Sequence, residues 1–194
     1  MRELLTSDAF FAPEHRAVLV KSPVEVVVGT LRQLGIATTD GLPFAIAAAG
    51  MGQNLFSPPN VKGWPGGEAW INASTLLARK QFLERLSRLD APAATAMRAQ
   101  ATPDDGMTAN AIAATDDARE RGMRFGRALE RGMRELAFDS RAWSVSLPGD
   151  TPQSRQRFAR RLLLPIEASP EDLHAAMEAG ALRRVLLDNA FQLK

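Results

Sequence analysis

Apolar residues recur at helical spacing along most of the chain, and the pattern predicts a series of helices separated by turns. The first clear helix lies in residues 22–35, SPVEVVVGTLRQLG. Ser22 is its expected N-cap, Pro23 its first helical residue, and Glu25 completes a capping box. Gly35 is the expected stop. The residues expected to form its buried stripe are Val24, Val27, Val28, Leu31 and Leu34.

Two more helices are predicted on either side of a stretch rich in Pro, Gly and Trp. The first is LPFAIAAAGMGQNLF, residues 42–56, which the chain enters through Asp40 and Pro43. The second has Asn72 as its N-cap and runs through Leu89. In this second helix we expect Leu76, Leu77, Leu83 and Leu86 to face inward, and Arg79, Lys80, Glu84 and Arg88 to face largely outward.

The remaining sequence also predicts helices and no strand. A helix is expected over residues 115–138, another from Thr151-Pro152 to Leu164, and a last pair from Ser169-Pro170 to Leu193. The fold class is therefore all-α, an irregular helical bundle with a Pro/Gly/Trp-rich structured loop. We expect residues 1–89 to form a helical core with the loop 54–72, and 90–110 to be a linker or mobile loop. Residues 111–194 are expected to add helices to the same core, within one domain.

One internal similarity connects the first and last parts of the sequence. MRELLTSDAFF, residues 1–11, matches LRRVLLDNAFQ, residues 182–192, with Arg, Leu, Ala and Phe in the same register. Both segments predict a short helix that stops and then turns a Phe inward. Eleven residues are too few to define a repeat architecture.

Composition excludes several classes of protein. The chain has 194 residues and a formal net charge of +2, which is not the footprint of a general nucleic-acid binder. It has no Cys, and its two histidines, His15 and His174, have no neighbours at ligand spacing, so we expect no metal site and no cofactor. No apolar run is long enough for a membrane span. The first residues do not have the pattern of a signal peptide.

The candidate site is the irregular stretch NLFSPPNVKGWPGGEAWINASTLLARK, residues 54–80. In a functional interpretation, aromatic faces beside amides and a lysine bind a sugar or a peptide. In a structural interpretation, Trp64 and Trp70 fill gaps between helices while the asparagines bond loop carbonyls and cap a helix. We favour the second, because a buried loop has to satisfy its own backbone groups. The candidate binding residues are Asn60, Lys62, Trp64, Glu68, Trp70 and Asn72.

Catalytic chemistry finds little support in the sequence. No serine lies in a G-x-S-x-G context, and GWPGG lacks the Lys and Ser/Thr of a phosphate loop. Glu68 could act as an acid or base only with a distant carboxylate. Residues 119–161 carry eleven Arg and five acidic residues, and we interpret this excess as a solvated face rather than a surface for RNA or anionic lipid. No catalytic residue is therefore assigned.

The segments VKSPVEVVVGTLRQLGI and GQNLFSPPNVKGWPGGEAWINASTLLARKQF, within residues 20–82, resemble a bacterial family known as domain of unknown function 1800. The opening LLTSDAFF and the closing LLDNAFQLK resemble that family's segments at the matching places. The resemblance implies a helical fold, often exported, with no established reaction. It also implies that this chain corresponds to the C-terminal portion of a longer protein, whose aromatic-His motif and Asn-Glu-rich helix are not present here.

Two functions are compatible with these observations. The first is a non-catalytic interaction or scaffold module, with the missing N-terminal half or another protein as its partner. The alternative is the substrate-binding half of an envelope-associated enzyme acting on carbohydrate or cell-envelope polymer, with its catalytic residues in the missing half. The compartment and the oligomeric state are not determined by the sequence.

Overall fold

The computed structural model describes residues 2–89, 127, 129–133, 136–166 and 181–194, and helices dominate these residues. The fold is all-α, as predicted, and the described residues contain no sheet; Val20 and Leu193 form an isolated antiparallel bridge. We number the α-helices as α1 Arg2–Leu5, α2 Pro23–Gln33, α3 Leu42–Gly50, α4 Ala73–Arg88, α5 Ser140–Ser146, α6 Pro152–Leu163 and α7 Ala181–Leu187. Short 3₁₀ helices cover Asp8–Phe11, Pro13–His15, Gly67–Trp70 and Asn189–Gln192.

The structure confirms the predicted N-caps. They could be predicted because each cap needs only groups that lie three residues apart in the sequence. Ser22 accepts from the amide of Glu25, and the Glu25 carboxylate accepts in return from the Ser22 amide at 2.7 Å. Asn72 and Thr75 form the corresponding reciprocal pair at the start of α4. Thr151 caps α6 with Ser154 in the same way. These caps satisfy amides that helix starts leave without partners.

Several predicted faces are wrong. In α2, Val28 is 43% exposed, whereas Val26, which the predicted stripe omits, is fully buried. In α4, Leu77 is 53% exposed, and Arg79, expected to face outward, is fully buried. In each helix the buried face is slightly rotated from the face that the apolar residues alone define. The contacts with neighbouring elements therefore decide which side chains are buried.

Several predicted boundaries are also corrected. Helix α3 ends at Gly50 and does not continue to residue 56, because Gly52 has a φ of +101° that a helix cannot accommodate. Residues 136–139 are not helical, so the helix predicted over 115–138 does not extend that far. Helix α5 is an element that the sequence pattern does not predict. The linker at 90–110, most of the 115–138 helix and the helix start at Ser169-Pro170 lie outside the described residues.

One hydrophobic core joins the elements before and after the loop. It contains residues of α2, α3 and α4 together with Met133, Leu136, Leu163, Leu186 and Phe191. Polar contacts reinforce this packing: the Gln33 side chain donates to the carbonyl of Leu162 at 2.8 Å, and the indole of Trp143 donates to the carbonyl of Gln33 at 3.1 Å. The division of the chain into core, linker and added helices stays a prediction.

The two similar segments adopt the same local structure. Each has a short α-helix followed by a 3₁₀ turn, and the matching residues Ser7 and Asp188 are the N-caps of those turns. Phe191 turns inward and is fully buried, as predicted, but its counterpart Phe10 is 47% exposed. The local geometry therefore follows from sequence, whereas burial requires a neighbour that only the second segment has among the described residues.

Among the described residues no helix is both long and apolar enough to cross a membrane.

Candidate functional site

The loop 54–72 projects its first half into solvent. Phe56 is 98% exposed and Val61 is fully exposed, on either side of Pro58 and Pro59. The backbone of Phe56 has a φ of 63°, in the left-handed region that a bulky residue rarely adopts. Such a conformation costs about 1–3 kcal/mol, so the surrounding structure has to impose it. The loop thus holds two apolar side chains outward at a tip with restricted backbone freedom.

Asn60 organises the turn that follows the prolines. Its Oδ1 accepts from the amide of Lys62 at 2.8 Å, and its carbonyl accepts from the amide of Gly63 at 3.0 Å. This arrangement is an Asx turn, and Gly63 supplies the φ of +89° that continues it. The side chains of Asn60 and Lys62 are exposed. Oδ1 of Asn60 therefore stabilises the turn of the loop itself.

The two tryptophans of the loop differ in burial. Trp70 is 7% exposed at the end of the 3₁₀ helix, whereas Trp64 is half-buried. The indole nitrogen of Trp64 is itself buried and has no hydrogen-bond partner among the described residues. Glu68 lies between them on the exposed side, and its carbonyl accepts from the amide of Ile71 at 2.9 Å. Trp70 is thus buried at the base of the loop, and Trp64 lies between the base and the tip.

The base of the loop is tied directly to the first turn of α4. Oγ1 of Thr75 donates to the carbonyl of Trp70 at 3.0 Å, while the side chain of Asn72 accepts from the amide of Thr75 at 2.9 Å. Residues 70, 72 and 75 therefore form one unit. The candidate residues fall into two groups, the turn at 60–62 and the base at 68–72, and within the described loop no hydrogen bond or ion pair joins them. Their assignment as binding residues stays a prediction.

A second polar cluster, which the sequence did not indicate, holds the 3₁₀ helix Asn189–Gln192 against α4. We call this 3₁₀ helix the C-terminal turn. Nη1 of Arg79 donates to the carbonyl of Lys21 at 2.9 Å and to Oε1 of Gln192 at 3.2 Å. Nζ of Lys21 donates to the carbonyl of Phe191 at 2.7 Å and lies 4.1 Å from the centre of its ring. Lys80 donates to the carbonyl of Leu187 and, at 3.0 Å, to Oδ1 of Asn189.

Burial shifts the acid–base behaviour of this cluster. Desolvation lowers the pKa of Lys21 to about 8, against the opposing attraction of the Glu25 carboxylate. Desolvation also lowers the pKa of Arg79 to about 10, which leaves the guanidinium charged at neutral pH. Nε and Nη2 of Arg79 are buried without a hydrogen-bond partner among the described residues. The cluster stabilises the C-terminal turn through backbone carbonyls, and no carboxylate that the structure describes accepts from Arg79.

Metal-ligating side chains do not cluster in either region as far as the structure describes them. Among the described residues no group of three or more His, Cys, Asp or Glu lies close enough to hold a metal ion. His15 is exposed, and His174 lies outside the described residues. The groups that the loop exposes include the apolar side chains of Phe56 and Val61, the Asn60 side chain and the charged side chains of Lys62 and Glu68.

Comparison with known proteins gives a family and no activity. A family model described as "Protein of unknown function (DUF1800)" matches residues 1–186. No curated protein and no solved structure matches the chain.

Proposed function

From the premise that the chain belongs to the DUF1800 family, whose description states no activity, we propose that it is a non-catalytic interaction module. The helical bundle acts as a scaffold, and the loop 54–72 presents an apolar tip to a partner protein. The observation that carries the proposal is the contrast between Phe56, 98% exposed at the tip, and Trp70, 7% exposed at the base.

The energetics of the tip support a role in binding. Phe56 and Val61 are exposed, so their apolar surface does not stabilise the folded chain through burial. The left-handed backbone at Phe56 also lowers stability. Pro58 and Pro59 restrict the backbone between Phe56 and Val61. Little conformational entropy is therefore lost when the tip is fixed against a partner. A complementary partner has an apolar pocket that accepts the Phe56 ring, with polar groups around it for the exposed turn at Asn60 and Lys62.

The alternative, a substrate-binding half of an envelope enzyme, has weaker support. Asn60 and Asn72 direct their acceptors to the chain's own amides, which leaves them less available to a sugar. Trp70 offers no open face for stacking, because its ring is buried. Of the two tryptophans in the loop, Trp64 is the one whose ring is partly accessible, and it would carry this function if the proposal were wrong.

The test compares the native chain with a variant that loses the two exposed apolar residues of the tip and with a control that loses one exposed apolar residue outside the loop. The immobilised chain, a Phe56→Ser/Val61→Ser variant and a Leu77→Ser control are incubated with extract of the source cells. Leu77 is 53% exposed on α4, outside the loop, so it controls for loss of apolar surface. A protein retained by the native chain and the control, but not by the tip variant, is then purified and titrated by calorimetry.

We expect the tip variant to bind that purified partner at least about tenfold more weakly than the control does. Equal affinity of both variants would contradict the proposal. A reaction catalysed by the purified chain and lost in Glu68→Gln would instead favour an enzyme.

A further inference from the structure

A cleft on α6, separate from the loop, combines positive charge with an apolar wall. It has a volume of about 640 Å³ and is lined by Pro148, Ser154, Arg157, Phe158, Arg161 and Leu162. This volume is in the range of pockets that hold small organic molecules. The lining comes from the turn before α6 and from one side of that helix, so a single element positions most of it.

The two arginines of the cleft have no partner in the part of the chain that the structure describes. Arg157 and Arg161 are exposed, one helical turn apart, and neither forms a hydrogen bond or an ion pair with any residue that the structure describes. Like charges at this spacing repel each other and destabilise a helix slightly. Asp150 is the only acidic residue in the sequence from 140 to 163, so this part of the chain supplies little neutralising charge. A bound anion would remove the repulsion.

The apolar wall lies on the same side of the helix as these charges. Phe158, next to Arg157, is 39% exposed, and Leu162, next to Arg161, is half-buried. The backbone at this wall is held in place, because the carbonyl of Leu162 accepts from the Gln33 side chain at 2.8 Å. The hydroxyl of Ser154 is already committed to the carbonyl of Thr151 at 2.8 Å. Two guanidinium groups and an aromatic face are therefore the groups left for a ligand.

We propose that this cleft binds an organic phosphate monoester, with the dianionic phosphate between Arg157 and Arg161 and the apolar body against Phe158. Guanidinium groups bind phosphate oxygens through paired, charge-assisted hydrogen bonds. Two fixed positive charges favour a dianion over a monoanionic carboxylate of the same shape. The apolar wall distinguishes an organic ester from inorganic phosphate. This ligand is independent of the loop and of the interaction proposed for it.

The test is calorimetric titration of the full chain, in a buffer free of phosphate, with phenyl phosphate, inorganic phosphate and benzoate as probes. We expect phenyl phosphate to bind about tenfold or more tightly than either of the other two. Arg157→Gln and Arg161→Gln should each weaken phenyl phosphate about tenfold or more, whereas Arg16→Gln, an exposed arginine outside the cleft, should leave it unchanged. Far-UV circular dichroism checks that each variant is folded.

Three results would overturn the proposal: no measurable binding of phenyl phosphate, equal binding of phenyl phosphate and inorganic phosphate, or equal binding by Arg157→Gln and Arg16→Gln. Benzoate binding as tightly as phenyl phosphate would overturn the selection for a dianion. Phe158→Ser separates the contribution of the ring. It should reduce the affinity for phenyl phosphate toward that for inorganic phosphate, and an unchanged preference would show that the ring is not part of the site.

Discussion

Nη1 of Arg79 lies 3.2 Å from Oε1 of Gln192, a residue 113 positions further along the chain. The same nitrogen donates to the carbonyl of Lys21, so one buried guanidinium joins α4 to the segment before α2 and to the C-terminal turn. A lysine in this position could not reproduce the planar arrangement of donors. The contact explains how a charged residue occupies the core of a small helical protein.

Replacement of Arg79 tests whether these bonds outweigh the cost of burying the charge. Arg79→Met removes the unpartnered Nε and Nη2, but it also leaves the acceptors of Lys21 and Gln192 without a donor. We expect the free energy of unfolding to fall by about 1–3 kcal/mol. The matched control is Arg88→Met on the same helix. The Arg88 side chain is 75% exposed in a surface pair with Glu84, so its loss should cost less than about 1 kcal/mol.

Urea denaturation of both variants at neutral pH measures the difference. If Arg79→Met proves as stable as the native protein, burial of the unpaired charge costs as much as the hydrogen bonds contribute, and the guanidinium is not a stabilising link.

The local features of this fold could be predicted from the sequence, but the long-range ones could not. The caps at Ser22, Asn72 and Thr151 need only groups within three residues, and all of them form. The burial of Arg79 depends on partners 58 and 113 positions away, and nothing in the spacing of α4 reveals them. Helix α5 was missed for a similar reason. It has seven residues, and its Trp143 is anchored by a bond to Gln33, 110 positions earlier.

In the candidate site, too, local features could be predicted from the sequence and long-range features could not. Sequence composition identified the loop 54–72 as unusual, and the role of Asn72 as an N-cap was predicted. The two tryptophans could not be distinguished, because whether an indole is buried depends on where the neighbouring helices lie. Phe56 has the backbone conformation and exposure that define the tip. The sequence pattern predicts it inside a helix, because its apolar side chain continues the pattern of α3.

The difference between the two tryptophans predicts different costs of truncation. Trp70→Ala should lower the free energy of unfolding by about 3–5 kcal/mol, because the ring is 7% exposed. Trp64→Ala should cost less, about 1–3 kcal/mol, since the ring is half-buried and its indole nitrogen has no partner among the described residues. Phe56→Ala serves as the control and should cost less than about 0.5 kcal/mol. Chemical denaturation gives all three values. Similar losses for Trp70 and Phe56 would mean that burial of the Trp70 ring does not stabilise the fold.

Lys21 predicts a dependence of stability on pH in the alkaline range. Its pKa is about 8 in the folded chain and 10.5 as the unperturbed value, so between these pH values the unfolded chain binds more protons than the folded one. Stability contributed by this group therefore rises as the pH increases from about 8 to 10.5. Lys80 shifts in the same direction, so the contribution of Lys21 is isolated by comparing the native protein with Lys21→Met. Denaturation midpoints measured across this range should rise more steeply for the native protein. Parallel curves would mean that Lys21 is not desolvated as described.

Two glycines predict opposite effects of the same substitution. A Cβ added at Gly132 would lie 2.2 Å from Cγ of Pro43, so the helical residues 129–133 and α3 approach each other too closely for a side chain. At Gly29, inside α2, nothing lies within 4 Å of an added Cβ. We expect Gly132→Ala to destabilise the protein by about 1–3 kcal/mol through overpacking. Gly29→Ala should stabilise it by about 0.5–1 kcal/mol, because alanine loses less backbone entropy on folding.

Thermal and urea denaturation of the two single variants and the double variant measure these effects. The two sites have different neighbours, so the double variant should show the sum of the single changes. A Gly132→Ala variant as stable as the native protein would mean that α3 and residues 129–133 are not in contact through Pro43. That result would remove one of the links between the helices before the loop and those after it.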